Sequence, residues 1–83
     1  MTDTIVTIYS TTWCAFCKAA KNYFDDKGVA YTEVNVEQDA EAGQQIAKET
    51  GQMGVPVIRI GKELIVGFDR PKIDAALKTE GLI

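Results

Sequence analysis

Segments rich in β-branched residues alternate along this chain with segments in which apolar residues recur at helical spacing. Residues 4–9 are rich in Thr, Ile and Val, which predicts a first strand. Its apolar residues do not alternate cleanly, which favours a strand covered on both faces. Residues 15–27 have the periodicity of a helix, and Lys27-Gly28 is typical of a helix C-terminus. Residues 30–36 alternate between apolar and polar positions and predict a second strand.

The second half of the chain predicts a helix, a β-hairpin and a final helix. Asp39 is a favourable N-cap for a helix through residue 50, and Gly51 is a favourable residue to end it. Residues 57–60 and 63–66 predict two strands, and the two residues between them begin with glycine, as a type II′ turn prefers. Asp69 can cap the last helix, whose first turn contains a proline.

The predicted order of elements is therefore β-α-β-α-β-β-α. A strand–helix–strand start implies a parallel pair joined by a right-handed crossover, and the later hairpin adds an antiparallel pair. We expect an α/β fold with a mixed four-stranded sheet flanked by helices. A chain of 83 residues has room for one hydrophobic core, so we expect a single domain spanning residues 1–83.

Composition narrows the class of protein. The hydrophobic content of 46% and charged content of 25% are those of an ordinary globular domain. A net charge of −3 argues against a nucleic-acid partner, because phosphate binding requires clustered Lys and Arg. No apolar run approaches the roughly 20 residues of a membrane span, and the first residues lack the features of a signal peptide. We therefore expect a cytoplasmic protein without a membrane partner.

The two cysteines, Cys14 and Cys17, are separated by two residues and stand between the first strand and the first helix. In a reducing compartment such a pair points to metal binding or to redox chemistry. A zinc site needs four ligands, usually Cys or His, and this chain has two Cys and no His, so we expect no metal site. A structural disulfide is a poor alternative, because a bridge closing so short a loop would contribute only about 2 kcal/mol.

The position of the pair predicts unequal roles for the two sulfurs. The free N–H groups and the dipole of a helix N-terminus favour an anion, so we expect Cys14 to be largely thiolate at neutral pH, assisted by Lys18. Cys17, one turn inside the helix, is expected to be less exposed and to have a pKa nearer the ordinary value. Cys14 would attack a substrate disulfide, and Cys17 would then attack Cys14 and release the reduced product.

Three segments together resemble the glutaredoxins and glutaredoxin-like redoxins of the thioredoxin superfamily. They are residues 9–18, which include the Cys-x-x-Cys sequence, residues 54–57 and residues 66–70. The resemblance covers nearly the whole chain and implies a thioredoxin-like fold with dithiol–disulfide oxidoreductase activity. It also implies that Pro56 follows a cis peptide bond and lies against the cysteines, and that the backbone of Val55 pairs with an extended substrate segment.

The sequence departs from the pattern of glutathione-using members at three places. Those members commonly have Lys or Arg three residues before the first cysteine, a Gly-Gly pair, and two consecutive acids before the last helix. This chain has Thr11, Val66-Gly67 and Asp69-Arg70 at those positions. Gly67-Phe68 and Trp13 are closer to redoxins reduced by thioredoxin reductase. Thioredoxin reductase is therefore the expected electron donor, and glutathione is the alternative co-substrate.

The resemblance leaves other questions open. Some glutaredoxins hold a [2Fe–2S] cluster between two chains and two glutathiones, and Cys14 would be the ligand from each chain here. Thioredoxin has a buried acid six residues before its first cysteine, where this chain has Ile8, so no internal base is evident for Cys17. We expect a monomer without a resident cofactor, acting on a disulfide-containing protein such as ribonucleotide reductase.

Two exposed aromatic residues, Trp13 and Phe16, are expected to form a docking rim for the substrate, although partial burial against neighbouring loops is an alternative for each. Thr11 and Lys18 are expected to support the cysteines. The complete set of residues expected to contact substrate or reductant is Trp13, Phe16, Val55, Pro56, Gly67, Phe68 and Asp69.

Overall fold

The computed structural model describes residues 5–51 and 56–83, and these residues contain the seven predicted elements in the predicted order. The bounds of the first two helices and of the two hairpin strands agree with those predicted from the sequence. The first two strands begin and end at other residues than predicted. The elements are β1 (Val6–Ser10), α1 (Ala15–Lys27), β2 (Thr32–Asn35), α2 (Ala40–Thr50), β3 (Val57–Ile60), β4 (Glu63–Val66) and α3 (Arg70–Thr79).

The first two strands depart from their predicted bounds for a tertiary reason. Ile5 lies outside β1 and is 67% exposed, and within β1 fully buried residues alternate with partly buried ones, so both faces are covered but one face is covered more completely. Among the described residues, β2 is an edge strand that pairs only with β1, from Thr32 opposite Thr7 to Asn35 opposite Ser10. Because β1 ends at Ser10, the ladder stops there, and β2 is shorter than residues 30–36.

The sheet has the strand order β2-β1-β3-β4. β1 and β2 are parallel, whereas β1 with β3 and β3 with β4 are antiparallel, which confirms the mixed four-stranded sheet. The hairpin turn begins with Gly61 at a φ of 59°, in the left-handed region expected for the first position of a type II′ turn. In the described part of the chain, no helix is long and apolar enough to cross a membrane.

The main hydrophobic core lies between one face of the sheet and helices α1 and α3. β1 and β3 contribute pairs that the register places opposite each other, such as Ile8 and Ile58. Phe24 of α1 is fully buried in this core. Arg59 belongs to the opposite face of the sheet and is bonded to Glu49 of α2, so helices cover both faces. The core residues are Val6, Ile8, Ala20, Phe24, Val29, Ile58, Ile60, Ile65, Ile73, Ala76 and Leu77.

Local capping signals explain why the helices begin and end where the sequence predicted. The carboxylate of Asp39 accepts a hydrogen bond from the N–H of Ala42 at 3.1 Å and caps α2. Asp69 caps α3 in the same way. Gly28 follows α1 in the left-handed conformation, with a φ of 69°. α1 differs from the other two helices at its start, where the cap is a sulfur atom of Cys14.

Candidate functional site

The segments singled out from the sequence lie together where strands β1, β2 and β4 end and β3 begins, and we call this end of the strands the site edge of the sheet. Ser10 at the end of β1 is opposite Asn35 at the end of β2, and Tyr9 is opposite Val57 at the start of β3. Val57 is in turn opposite Val66 at the end of β4. The loop that follows β1, the residue before β3 and the turn that follows β4 are therefore brought to the same edge.

Cys14 is the N-cap of α1. Its backbone is extended, with φ −84° and ψ 112°, and its Sγ accepts a hydrogen bond from the N–H of Cys17 at 3.2 Å. Its carbonyl accepts the first helical hydrogen bond, from the N–H of Lys18 at 3.3 Å. The sulfur thus occupies the position in which Ser or Asp oxygens usually cap helices, a position that favours a negative charge. The predicted place of Cys14 at the helix N-terminus is confirmed, and its thiolate character stays a prediction.

The two thiols are free in this structure and differ in burial. Cys14 is 7% exposed, which is less than expected, and Cys17 is fully buried, so the predicted order of exposure is confirmed. Burial raises the pKa of Cys17 to about 12, assisted by its hydrogen bond with Cys14 and opposed by the Thr11 backbone and by Lys21. The expectation that the pKa of Cys17 would be nearly ordinary was wrong, because the sequence could not show how completely α1 buries this side chain.

The loop between β1 and α1 is fixed by side chains that the sequence analysis missed. The N–H of Thr12 donates to Glu37 Oε1 at 2.8 Å, and Asn35 Nδ2 donates to Thr12 Oγ1 at 3.1 Å. Both partners come from the end of β2 and the turn after it. These contacts join residues more than twenty positions apart, so no local sequence signal could have identified them.

Thr11 lies between this loop and the cysteines. It is 8% exposed, and its carbonyl accepts a hydrogen bond from the N–H of Cys14 at 3.4 Å. Within residues 5–51 and 56–83, its Oγ1 has no hydrogen-bond partner. The backbone of Thr11 contacts both cysteines, and its role in supporting their chemistry stays a prediction. Lys18 is exposed on α1, and its electrostatic assistance to Cys14 stays a prediction.

The two aromatic residues of the proposed docking rim, which flank Cys14 in the sequence, are exposed. Trp13 is 74% exposed and Phe16 is 67% exposed. The alternative of partial burial is therefore wrong for both. Exposed aromatic side chains beside a concave or reactive centre are typical of protein contact surfaces, but their contact with a substrate stays a prediction.

Pro56 and the turn between β4 and α3 are joined directly. The carbonyl of Pro56, a fully buried residue, accepts a hydrogen bond from the N–H of Gly67 at 2.8 Å. Gly67 has a φ of 85°, which favours glycine at this position. Val55 lies outside the described residues, so its pairing with substrate and the configuration of the Val55–Pro56 peptide bond stay predictions.

The last predicted contact residues have structural roles of their own. The ring of Phe68 packs edge to face on Tyr23, with centroids 5.8 Å apart, and against the main core. This side chain is therefore half-buried and holds the turn to α1, which restricts substrate contact to its exposed part. Asp69 accepts a hydrogen bond from the N–H of Lys72 at 3.3 Å, as the predicted helix cap.

A polar network of three side chains links β1, α1 and β2. Glu33 Oε2 accepts hydrogen bonds from Ser10 Oγ and from Lys21 Nζ, each at 2.7 Å. The contact with Lys21, followed by that with Ser10, lowers the pKa of Glu33. Lys21 is held against the sheet because β2 brings Glu33 to it. No local sequence signal marks this network, because its residues come from different elements, 12 and 23 positions apart.

Besides the two cysteines, the site offers no further metal ligands close enough to form a cluster in the part of the chain that the structure describes. Within those residues, no group of three or more His, Cys, Asp or Glu side chains is arranged to hold a metal ion. The chemistry available at this edge of the sheet is that of two unequal thiols beside a helix N-terminus.

The unequal thiols give a first testable prediction. With iodoacetamide at about pH 8, the reduced native protein will take one label, on Cys14. Cys17 is fully buried, and with a pKa of about 12 only about one in ten thousand of its thiols is ionised at that pH. Peptide mass spectrometry after a time course locates the label, and unfolding in guanidinium chloride should admit the second one. The matched control is Cys14→Ser, which should stay unlabelled until it is unfolded. Equal labelling of both cysteines in the native chain would contradict the assigned asymmetry.

Comparison with known proteins identifies a matching family model and similar sequences. A family model described as Glutaredoxin matches residues 6–65. An uncharacterized glutaredoxin-like 8.6 kDa protein in the rubredoxin operon of Clostridium pasteurianum is 36% identical over 74 residues, which cover 89% of this chain and 99% of that protein.

Two solved structures share the architecture. The glutaredoxin-like NrdH-redoxin from Escherichia coli, described as having a thioredoxin-like activity profile, has a TM-score of 0.78 and 27% identity, covering 84% of this chain and 91% of its own. Buckwheat glutaredoxin, solved as a glutathione complex, has a TM-score of 0.79 and 28% identity, covering 99% of this chain and 84% of its own. These similarities confirm the thioredoxin-like glutaredoxin fold expected from the sequence.

Proposed function

This chain belongs to the glutaredoxin family of thiol–disulfide oxidoreductases, and from that membership we propose that it reduces disulfide bonds in protein substrates with electrons from thioredoxin reductase. The observation that carries the proposal is the arrangement of the two thiols. Cys14 caps α1 with the more accessible sulfur, and Cys17 lies fully buried one turn behind it. An attacking thiol and a resolving thiol require this difference.

The reaction proceeds through a mixed disulfide. The Cys14 thiolate attacks one sulfur of the substrate disulfide, so that a bond forms between Cys14 and the substrate and the second substrate sulfur leaves as a thiolate, which takes up a proton. Cys17 then loses its proton and attacks Cys14 Sγ. This step forms the Cys14–Cys17 disulfide and releases the first substrate sulfur, which is protonated in turn. The substrate gains two electrons, and the reductase later returns the protein disulfide to the dithiol.

The surface around Cys14 supports a protein as the substrate. Trp13 and Phe16, which stand just before and two residues after Cys14 in the sequence, expose large aromatic side chains and form the proposed docking rim. Aromatic residues are enriched at the centres of protein interfaces, where they supply much of the binding free energy. Ribonucleotide reductase, which passes through a disulfide in its reaction cycle, is one substrate that the resemblance implies.

The charges near the site favour thioredoxin reductase over glutathione. Thr11 stands where glutathione-using relatives carry a cation, and the carboxylate of Glu37 is bonded to the backbone of the next residue, Thr12. A negative charge there disfavours the carboxylates of glutathione. Arg70 at the start of α3 replaces the second of two acids, which removes an acceptor for the tripeptide's amino group. The thioredoxin-like activity profile of the Escherichia coli relative agrees with this choice.

Glutathione remains the second candidate donor, supported by the similarity to the buckwheat protein that was solved with glutathione. A glutathione-linked [2Fe–2S] cluster is a further prediction of the resemblance, and visible absorption after anaerobic purification would support it. We place the activity in the cytoplasm, where a reducing environment keeps an exchanging dithiol reduced, and assign it to the monomer.

The donor can be tested by following NADPH oxidation with an insulin disulfide substrate. We expect turnover with thioredoxin reductase to exceed turnover with glutathione and glutathione reductase by at least about tenfold, because each missing charged hydrogen bond to glutathione is worth about 1.5–3 kcal/mol. Turnover with glutathione alone would contradict the proposal.

A charge-reversal variant sharpens the same test. Arg70→Asp restores two consecutive acids before α3 and should raise turnover with glutathione by about tenfold while lowering the preference for the reductase. The matched control is Lys62→Asp, which makes the same change of charge at an exposed residue of the turn between β3 and β4, at the other end of the sheet, and should leave glutathione turnover unchanged.

A further inference from the structure

The polar network of Ser10, Lys21 and Glu33 meets α1 one turn after Cys17, whereas Cys14 lies at the N-cap before it. Lys21 follows Cys17 by four residues on α1, so their side chains occupy the same face of the helix one turn apart. Lys21 does not extend into solvent, because its ammonium group is bonded to Glu33 at 2.7 Å and its side chain is only 25% exposed. Ser10, a fully buried residue at the end of β1, fixes the same carboxylate oxygen.

This geometry brings a positive charge to a buried thiol that must become negative during the reaction. Lys21 and Cys14 are the ionisable groups that act on Cys17, and they act in opposite directions: Lys21 favours its thiolate and Cys14 disfavours it. Charged groups on the other packed elements are engaged elsewhere, since Arg59 of β3 is bonded to Glu49 and Asp74 of α3 accepts from Tyr23. Among the described residues, Lys21 is therefore the cation placed to act on Cys17, and Glu33 compensates part of its charge.

We propose that Lys21, held in place by Glu33 and Ser10, is a positioning residue for the resolving step, in which it stabilises the thiolate of Cys17. The inference rests on the proposed function, because it assigns a residue to the second half of that reaction. In this step the Cys17–H bond breaks, a bond forms between Cys17 Sγ and Cys14 Sγ, and the bond between Cys14 and the substrate sulfur breaks. The departing substrate sulfur ends as a thiol, so one proton passes from Cys17 to the product and electrons are conserved.

Substitution of either residue of the Lys21–Glu33 ion pair tests the proposal, because the two substitutions should change the rate of attack by Cys17 in opposite directions. Lys21→Met removes the cation and should slow the attack of Cys17 by about threefold to tenfold at neutral pH. Glu33→Gln keeps the shape and a hydrogen-bond acceptor but leaves the charge of Lys21 uncompensated, so it should speed the attack by about threefold. If the pair merely stabilised the fold, both variants would change the rate in the same direction.

The resolving step can be measured directly with 5,5′-dithiobis(2-nitrobenzoic acid). In stopped flow, the reduced protein should release one thionitrobenzoate when Cys14 attacks the reagent and a second when Cys17 attacks the mixed disulfide. The rate of the second phase, followed against pH, should keep its slope but shift to higher pH in Lys21→Met and to lower pH in Glu33→Gln. About 1 M NaCl should narrow the differences between the three rates only in part, because Cys17 is fully buried and salt screens buried charges much less than exposed ones.

The pair formed by Arg59 and Glu49 supplies the matched control. It has similar exposure, 33% for each side chain, and lies on the opposite face of the sheet, so Glu49→Gln should leave the second phase unchanged. Shifts of Lys21→Met and Glu33→Gln in the same direction, or no shifts, would overturn the inference while the two phases still supported the proposed function. Release of a single thionitrobenzoate by the unaltered chain would overturn the proposed function itself, and the inference with it.

Discussion

Replacing Cys14 with serine will abolish disulfide reduction, with a loss of turnover of about a thousandfold or more, because a hydroxyl group is not ionised at neutral pH and is a far weaker nucleophile than a thiolate. The structure provides no substitute at this position, since Cys17, the other cysteine of the chain, is fully buried and has a pKa of about 12. Turnover is measured by NADPH oxidation in the presence of the reductase and insulin. Activity within about tenfold of the unaltered chain would show that Cys14 is not the attacking thiol.

The partner variant, Cys17→Ser, is the matched control because it should stop the reaction at a different step. The first attack by Cys14 is retained, so the protein should accumulate as a mixed disulfide. Intact mass spectrometry should detect it as a species heavier than the variant by the mass of the bound substrate. Cys14→Ser should form no such adduct. If Cys17→Ser turned over as fast as the unaltered chain, a second thiol from solution, such as glutathione, would be completing the reaction, and the assignment of Cys17 as the resolving thiol would fail.

The largest expected effect on stability comes from Phe24→Ala, which should lower the free energy of unfolding by about 3–5 kcal/mol. Phe24 is fully buried where α1 meets the sheet, and its ring lies 6.0 Å from that of Tyr31 and 6.3 Å from that of Tyr23. Small domains have a total unfolding free energy of about 5–15 kcal/mol, so this variant should be unfolded or close to it at 37 °C. Urea unfolding followed by circular dichroism measures the change.

α1 itself provides the control for this prediction. Phe16→Ala makes the same chemical change two turns earlier on the helix, but Phe16 is 67% exposed, and its removal should change the unfolding free energy by less than about 0.5 kcal/mol. The two variants together also separate stability from docking, since Phe16→Ala should weaken substrate binding in a chain that remains folded. A similar loss of stability in both variants would contradict the assigned core.

The sequence predicted those features whose physical cause is local. The bounds of α1, α2 and the hairpin follow from caps such as Asp39 and Gly28 and from the glycine-first turn, all of which act within a few residues. The place of Cys14 at a helix N-terminus follows from the same kind of signal. The length of β2 was beyond the sequence, because it depends on where the neighbouring strand β1 leaves the ladder.

The residues that support the cysteines were not predicted, because their contacts join segments that are distant in the sequence. The carboxylate of Glu33 reaches Lys21 across 12 positions and Ser10 across 23 positions of the chain, and composition alone gives each of these residues a solvent-exposed role. The complete burial of Cys17, which sets its pKa, also depends on packing between elements that are distant in sequence. Local chemistry could thus be predicted in advance, whereas the environment that tunes it could not.

The sulfur cap of α1 couples the redox state of the chain to its folding thermodynamics. The hydrogen bond from the N–H of Cys17 is stronger to a free thiol or thiolate sulfur of Cys14 than to a disulfide sulfur, so it favours the reduced chain. A helix cap contributes about 1 kcal/mol, and for this two-electron couple about 1.4 kcal/mol corresponds to 30 mV. The cap therefore makes the chain a more oxidising couple by about 20 mV, since it stabilises the dithiol over the disulfide. Changes at the start of α1 that strengthen or weaken the cap will move the unfolding free energy of the reduced form and the midpoint potential together.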